Sequence, residues 1–308
     1  MIPPTEWPIG RTGHIAIVGR PNTGKSTFLN TVLGCHLAPV SAKPQTTRRR
    51  LLGIWSQPGL QGLFLDTPGL FEGDTELDRA MEQGIRRSLE DADVVLCLAD
   101  PLRESGAEDR RVAGFLRDAA KPVLVGINKS DLATPAQVAA ASAWWAETLP
   151  DAPRFVFSAV ERKTLDVVLD ALAKRLPEGP FLYDPETLTD AFERDIGADL
   201  IRETVLEELR DEVPHAVAVE IEAWKEDDAA NRRVVRAVLH VERPGQKAIL
   251  IGHGGEMIKV LTNRSREKLE TLCGMKVKLD LYVRVTADWR RKRDALKTFG
   301  LAGARRGG

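Results

Sequence analysis

The eight residues 19–26, reading GRPNTGKS, constrain the fold of this chain more than any other stretch. They fit the pattern G-x-x-x-x-G-K-[ST], in which backbone N–H groups wrap phosphates, the lysine reaches the terminal ones and the hydroxyl ligates Mg²⁺. Such a loop needs a strand before it and a helix after it, because the helix N-terminus adds partial positive charge to the anion site. Both flanks are present. Residues 14–18 (HIAIV) form an apolar, β-branched run, and residues 27–34 (TFLNTVLG) have helical spacing that ends at a glycine. Gly19, Asn22, Thr23, Gly24, Lys25, Ser26 and Thr27 are therefore candidate nucleotide contacts.

Three further signals follow in order. Residues 42–55 (AKPQTTRRRLLGIW) carry Thr46 and Thr47 before a basic run, where a switch segment that closes on Mg²⁺ would lie. An apolar strand then ends at Asp66 in the sequence DTPG. Asp66 can hold Mg²⁺ through water, and the amide of Gly69 can sense a γ-phosphate. Ser26, Asp66 and either Thr46 or Thr47 are the candidate metal ligands, and Lys25, that threonine and Gly69 the candidate catalytic groups. Strand patterns at 94–100, 123–129 and 155–159 alternate with helical stretches, which predicts a mainly parallel sheet with ligands at the strands' carboxyl ends.

Residues 128–131 (NKSD) identify the base. Guanine offers two donors on one edge that a single carboxylate accepts together, whereas adenine presents an acceptor there. Asp131 is thus expected to select GTP over ATP by roughly 10³-fold or more, since the wrong base leaves a buried charge unpaired. Asn128 is expected to brace the loops and Lys129 to lie along the base plane. Ser158 and Ala159 fit the turn whose N–H meets guanine O6.

Charge divides the chain. Residues 229–308 hold 19 Lys and Arg against 7 Asp and Glu, leaving 25 against 38 for residues 1–228, so a segment of +12 follows one of −13. A basic module on an acidic body reads as an anion-binding part. After a proline-bearing stretch at 176–190, the patterns run helix, strand, strand, helix, helix, strand, with Gly252-His253-Gly254-Gly255 between two helices. Glycines there let a nucleic-acid backbone approach, and the next helix presents free N–H groups to phosphates. Without that context the loop would read as a flexible turn. Lys247, Gly252, His253, Gly254, Gly255, Lys259 and Arg264 are the candidate RNA contacts, with Arg243 and Arg266 as further phosphate neighbours. The basic stretch from Trp289 is read as a helix that extends the RNA surface or touches acidic lipid.

The pieces GRPNTGKST, QTTR, DTPGL and NKSD resemble those of the Era family of GTPases, which join a P-loop GTPase domain to a C-terminal RNA-binding KH domain. The resemblance covers nearly the whole chain. It implies an α/β domain with a six-stranded, mainly parallel sheet over 1–178, a linker at 179–190, a type II KH domain over 191–300 and a basic tail at 301–308. It also implies GTP/GDP and Mg²⁺ as ligands, a switch role for Thr46 or Thr47 with Thr47 the favoured ligand, and base recognition by Asn128 and Asp131. Asn22 matches an asparagine that related GTPases use to place K⁺ near the phosphates. The partners implied are 16S rRNA near its 3′ end and the 30S ribosomal subunit, with the protein a monomer that makes peripheral contact with the membrane.

Two positions depart from related patterns. Leu70 stands where Ras-like GTPases carry the glutamine that orients the attacking water, so slow intrinsic hydrolysis is expected. Residues 160–163 (VERK) lack the glycine that the family often places after the Ser-Ala pair. The first residues carry no apolar core of a secretory signal, and no apolar run reaches the ~18 residues of a membrane span, so a cytoplasmic location is expected. Cys35, Cys97 and Cys273 are far apart and no histidine pair has metal-ligand spacing, which predicts no zinc site.

Overall fold

The structure, a computed structural model, describes residues 7–70 and 73–302. The chain divides into two compact units. The first comprises the described parts of 1–38, 47–72 and 82–190, and the second those of 39–46, 73–81 and 191–308.

The first unit is a sheet flanked by helices. Its elements are β1 (Ile9–Val18), α1 (Lys25–Leu33), β2 (Leu51–Gln57), β3 (Leu60–Asp66), α2 (Glu76–Asp91), β4 (Val94–Ala99), α3 (Ala107–Ala119), β5 (Val123–Ile127), α4 (Pro135–Thr148), β6 (Arg154–Val156), α5 (Asp166–Ala173) and β7 (Glu178–Pro180). The first residues of α2, up to 81, group with the second unit. Strand order is β2-β3-β1-β4-β5-β6, parallel from β3 to β6, with β2 antiparallel at the edge. Every residue of β4 is buried, as both faces of a central parallel strand must be. Helix α3 turns Val112, Ala113 and Leu116 onto the sheet. Helix α4 opens on a capping box, Thr134 with Gln137, and places the fully buried Trp145 against the core, so this tryptophan is a packing residue.

Two expectations about the first unit need correction. The sheet has seven strands, not six: β7 pairs antiparallel with the first residues of β1, Ile9 to Arg11. Three residues ending in proline are too few to show a strand period. The segment expected as a linker is instead docked along the first unit. The Gln61 side chain accepts from the Leu182 and Tyr183 N–H groups and donates to Tyr183 O, while Thr189 donates to Leu52 O. A buried glutamine saturated by the backbone of 182–183 fixes that stretch, and nothing in its proline content announces this.

The second unit carries α6 (Glu193–Glu208), β8 (Ala218–Asp227), β9 (Arg232–Val241), α7 (Pro244–Ile251), α8 (Glu256–Cys273), β10 (Lys276–Val285) and α9 (Arg293–Thr298). Its sheet runs β10-β9-β8, with β9–β10 parallel and β8–β9 antiparallel. Ile201 and Val205 of α6, Leu250 of α7 and Leu261 and Leu269 of α8 form one core with Val235, Ala237, Leu239 and Leu279. Segment 39–46 groups here because Arg202 of α6 donates to the carbonyls of Gln45 and Thr46, and the Lys43 ammonium to those of Leu206 and Leu209. The predicted basic helix from Trp289 is broken. A 3₁₀ turn at 289–291 precedes a six-residue α9. Trp289 is wholly buried, its Nε1 donating to Ala216 O at 2.8 Å and its ring meeting Phe299. The expected tail at 301–308 lies, from 303 on, outside the described residues.

Candidate functional site

The glycine loop sits between β1 and α1, and steric fit explains its residues. Gly24 has φ 92°, and a Cβ there would stand 2.3 Å from Asn128 Nδ2; at Gly19, φ 153°, it would stand 2.5 Å from Leu98 O. Neither place admits a side chain. A Cβ on Gly69 would lie 2.7 Å from the backbone of Pro21, so the DTPG turn lies flush on the loop. Lys25 is buried, its Nζ donating to Arg20 O at 3.0 Å and Gly19 O at 3.3 Å. Thr23 Oγ1 donates to Arg20 O, Thr27 lies in the first turn of α1, and Asn22 holds a left-handed backbone at φ 63°.

Beneath the lysine, three oxygen-bearing side chains meet. Ser26 Oγ donates to Asp66 Oδ2 at 2.7 Å and lies 2.8 Å from Thr47 Oγ1, which itself is 3.4 Å from Asp66 Oδ2. Asp66 Oδ1 is buried without a hydrogen-bond partner of good geometry. Two hydroxyls and a carboxylate with an open lone pair form the hard-oxygen set that Mg²⁺ takes, so these residues fit the ion. Burial lowers the Lys25 ammonium to about 8, despite the opposing pull of Asp66. Burial likewise pushes the Asp66 carboxyl up to about 6, against hydrogen bonds from Ser26 and Thr47 and the charge of Lys25. A divalent cation and an anionic ligand would relieve both. The Thr46 hydroxyl donates to Lys43 O at 2.8 Å.

The base-recognition residues occupy the ends of β5 and β6. Asn128 is buried, its Nδ2 donating to Thr23 O and its Oδ1 accepting from Ala159 N, both at 2.7 Å. It therefore ties the phosphate loop to the Ser-Ala turn. The two N–H groups read as guanine O6 contacts are engaged within the protein: Ser158 N donates to Thr164 Oγ1 and Ala159 N to Asn128. Lys129 Nζ pairs with Asp100 Oδ2 at 2.7 Å. The Asp131 side chain is exposed, with no protein partner among the described residues. Leu70 is 3% exposed and packs in the core with Ile85 and Leu89.

In the second unit the loop 252–255 joins α7 to α8. Gly252 (φ 73°, ψ 173°), Gly254 (φ 57°) and Gly255 (φ 82°) all hold conformations that favour glycine. His253 is exposed, Lys247 half-buried and Lys259 exposed, and none of their side chains has a protein partner among the described residues. Ile249 and Val260 beside them are exposed apolar residues that can meet bases. Arg264, read as a phosphate contact, is instead paired with Glu208 of α6. Sequence reasoning also missed Arg20, Asp100 and Asp109. Arg20 fills a variable place in the loop pattern, and the only signal for Asp100 is its position at a strand's carboxyl end.

Taken together, the fold and its four loops define a P-loop GTPase joined to a type II KH domain. A family model described as "50S ribosome-binding GTPase" matches residues 14–129, and one described as "KH domain" matches residues 212–290. GTPase Era of Heliobacterium modesticaldum is 38% identical over 94% of this chain and 97% of its own length, and that of Lacticaseibacillus paracasei 40% over 94% and 96%. The crystal structure of a variant of Aquifex aeolicus Era bound to GDP·AlF4⁻ superposes with a TM-score of 0.91 at 36% identity, covering 95% of this chain and all of that one. A crystal structure of Era in complex with MgGDPNP and nucleotides 1506–1542 of 16S ribosomal RNA gives 0.92 at 36% identity over 96% and 100%. The chain belongs to the Era family of GTPases.

Proposed function

We propose that this GTPase binds the single-stranded 3′ end of 16S rRNA through its KH domain and assists 30S subunit assembly, with GTP setting its state. The observation that carries the reading is the convergence of Ser26, Thr47 and Asp66 beneath the buried Lys25 at a helix N-terminus. Ser26, Thr47 and Asp66 would hold Mg²⁺, which when bound neutralises phosphate charge. The backbone of 19–26 grips the phosphates. Lys25 turns from the loop carbonyls toward the terminal phosphoryl, where it and the Gly69 N–H stabilise developing charge. Asp131 accepts from the guanine edge, Lys129 flanks the ring, and Asn128 keeps the two loops in register. Leu70 offers no hydrogen bond to water, so intrinsic hydrolysis is slow. A single-turnover rate of many per second would contradict this. Asn22 is the candidate for placing K⁺, which equal hydrolysis in K⁺ and Na⁺ would rule against.

On the RNA side, Gly252, Gly254 and Gly255 admit the nucleic-acid backbone, with His253, Lys247 and Lys259 alongside it. Arg264 joins them only on leaving Glu208. The complex of a relative at 36% identity with nucleotides 1506–1542 of 16S ribosomal RNA supports 16S rRNA as the partner of this chain too. No helix among the described residues is long and apolar enough to cross a membrane. We place the protein in the cytoplasm as a monomer; peripheral membrane contact would rest on the basic residues 290–297, and co-sedimentation with anionic vesicles tests it. Crosslinking to total cellular RNA followed by sequencing tests the main reading. Recovery of the 3′ end of 16S rRNA is expected, and recovery of other RNAs alone would contradict it.

A further inference from the structure

The glycine loop holds a residue that its phosphate-binding role does not require. Arg20 is 3% exposed, and both terminal nitrogens of its guanidinium are committed to the loop after β4 and the start of α3, while its buried Nε has no hydrogen-bond partner. Nη1 donates to Asp109 Oδ2 at 2.8 Å and to Glu104 O at 3.2 Å; Nη2 donates to Asp100 O and Arg103 O, both at 2.9 Å. Asp109 Oδ2 also accepts from Gly106 N, which closes the turn into α3. A planar fork that satisfies three carbonyls and a carboxylate fixes position in a way that a lysine's point charge would not. The other end of the same residue faces the nucleotide site, where its carbonyl accepts from both Lys25 Nζ and Thr23 Oγ1.

The clamped loop reaches the base as well. Asp100, whose carbonyl Arg20 holds, accepts from Leu102 N with Oδ1 and pairs with Lys129 through Oδ2 at 2.7 Å. One short path therefore runs from the phosphate-binding lysine through Arg20 and Asp100 to the lysine of the base loop. A buried ion pair is in itself weak evidence for stability, and conformational specificity is its better-attested use.

We propose that Arg20 is a positioning residue for guanine-nucleotide binding, fixing the phosphate loop against residues 100–109 so that the loop backbone and the Lys129 side chain are preset. The inference rests on the GTP-site reading above. A loop held in place before the nucleotide arrives serves GDP, GTP and the transition state alike. Loosening it raises GDP Kd and GTP KM together and leaves kcat nearly unchanged. A merely structural role would lower the folded fraction, reducing apparent kcat while leaving KM unmoved.

The test uses the full chain with R20Q, R20K, D109N and the R20Q/D109N pair, reading GDP affinity, steady-state GTP hydrolysis and thermal midpoint. R20Q is expected to weaken GDP and raise KM by roughly tenfold with kcat within about twofold, R20K recovering part of the loss. D109N should shift KM in the same direction, and the double variant should bind GDP no worse than R20Q alone, because the two act as one unit. If R20Q does not fold because Asp109 is left buried and unpaired, R20K and the double variant carry the same KM and Kd comparison. Unchanged GDP affinity and KM in the folded variants would overturn the proposal, as would fully additive effects of R20Q and D109N. Failure of the unsubstituted protein to bind GDP would instead sink the GTP-site reading itself.

Discussion

At the scale of single residues, the two loops of the site are tied together by one buried side chain. Asn128 serves Thr23 O and Ala159 N at once, so Asn128→Ala leaves a buried carbonyl and a buried N–H unpaired. That is expected to cost about 2–4 kcal/mol of stability in the first unit, read by denaturant unfolding. It should also weaken GDP binding in titration, because both loops lose their brace; wild-type affinity would show the brace to be dispensable. In the second unit, His240 is 3% exposed, with Nε2 at 2.9 Å from Glu220 and Nδ1 at 2.8 Å from Thr286, and its ring packs on Phe299. Burial lowers its pKa from the ordinary 6.5, with Glu220 pulling the other way. The unfolded chain therefore binds the proton more tightly, and the stability contributed by neutral His240 is present above pH 6.5 and lost as pH falls through the depressed value. Urea midpoints at about pH 8 and about pH 5 should differ less in His240→Gln than in the unsubstituted protein. An equal difference in both would assign the pH dependence to other groups.

At the scale of elements, the two glycine loops differ in what they demand. Gly252 holds φ 73° and ψ 173°, a region open essentially to glycine alone, and a Cβ there would stand 2.8 Å from Met257 N. Gly254 has open space around its Cβ position, so its left-handed φ is the only strain a side chain would meet. Gly252→Ala is therefore expected to distort the turn into α8 and reduce RNA affinity by an order of magnitude or more while GDP affinity stays unchanged. A gel-shift series beside a GDP titration separates the two readouts, and parallel losses would contradict the assignment of this loop to RNA. Elements with a strong period or a fixed motif were legible in the sequence: β1, α1, β4, β5 and the order α6-β8-β9-α7-α8-β10 in the second unit. Elements set by tertiary partners were not. Strand β7 exists because β1 extends back to Ile9, the segment after it lies along the sheet because Gln61 is buried beneath it, and α9 is short because Trp289 turns inward.

At the scale of the whole molecule, the sequence named the chemistry but not the bracing. The motif residues Ser26, Thr47 and Asp66 meet in the fold and Asn128 joins two loops, and their spacing is readable in one dimension. Arg20, Asp100 and Asp109 come from three separate stretches and meet only in the fold, so no motif could announce them. Arg264 went to Glu208 for the same reason: a basic residue near a basic loop reads as a phosphate contact until an acid from another helix claims it. The asymmetry of +12 against −13 also carries a prediction. RNA affinity should fall steeply with salt, each phosphate contact adding roughly 0.7 to the slope of log K against log salt for a single strand. Removing one free lysine, Lys259→Ala, should lower that slope by about one contact's worth.

If this GTPase is a switch, the nucleotide held at Lys25 governs its grip on RNA. The direct measurement is the affinity of the full-length protein for a 16S rRNA 3′-end oligonucleotide with a non-hydrolysable GTP analogue, with GDP and without nucleotide, alongside Lys25→Ala. Binding is expected to be tighter with the analogue than with GDP by about fivefold or more, and to show no nucleotide dependence in Lys25→Ala. Equal affinity in all states of the unsubstituted protein would contradict the switch, leaving a plain RNA-binding module whose GTP hydrolysis is incidental.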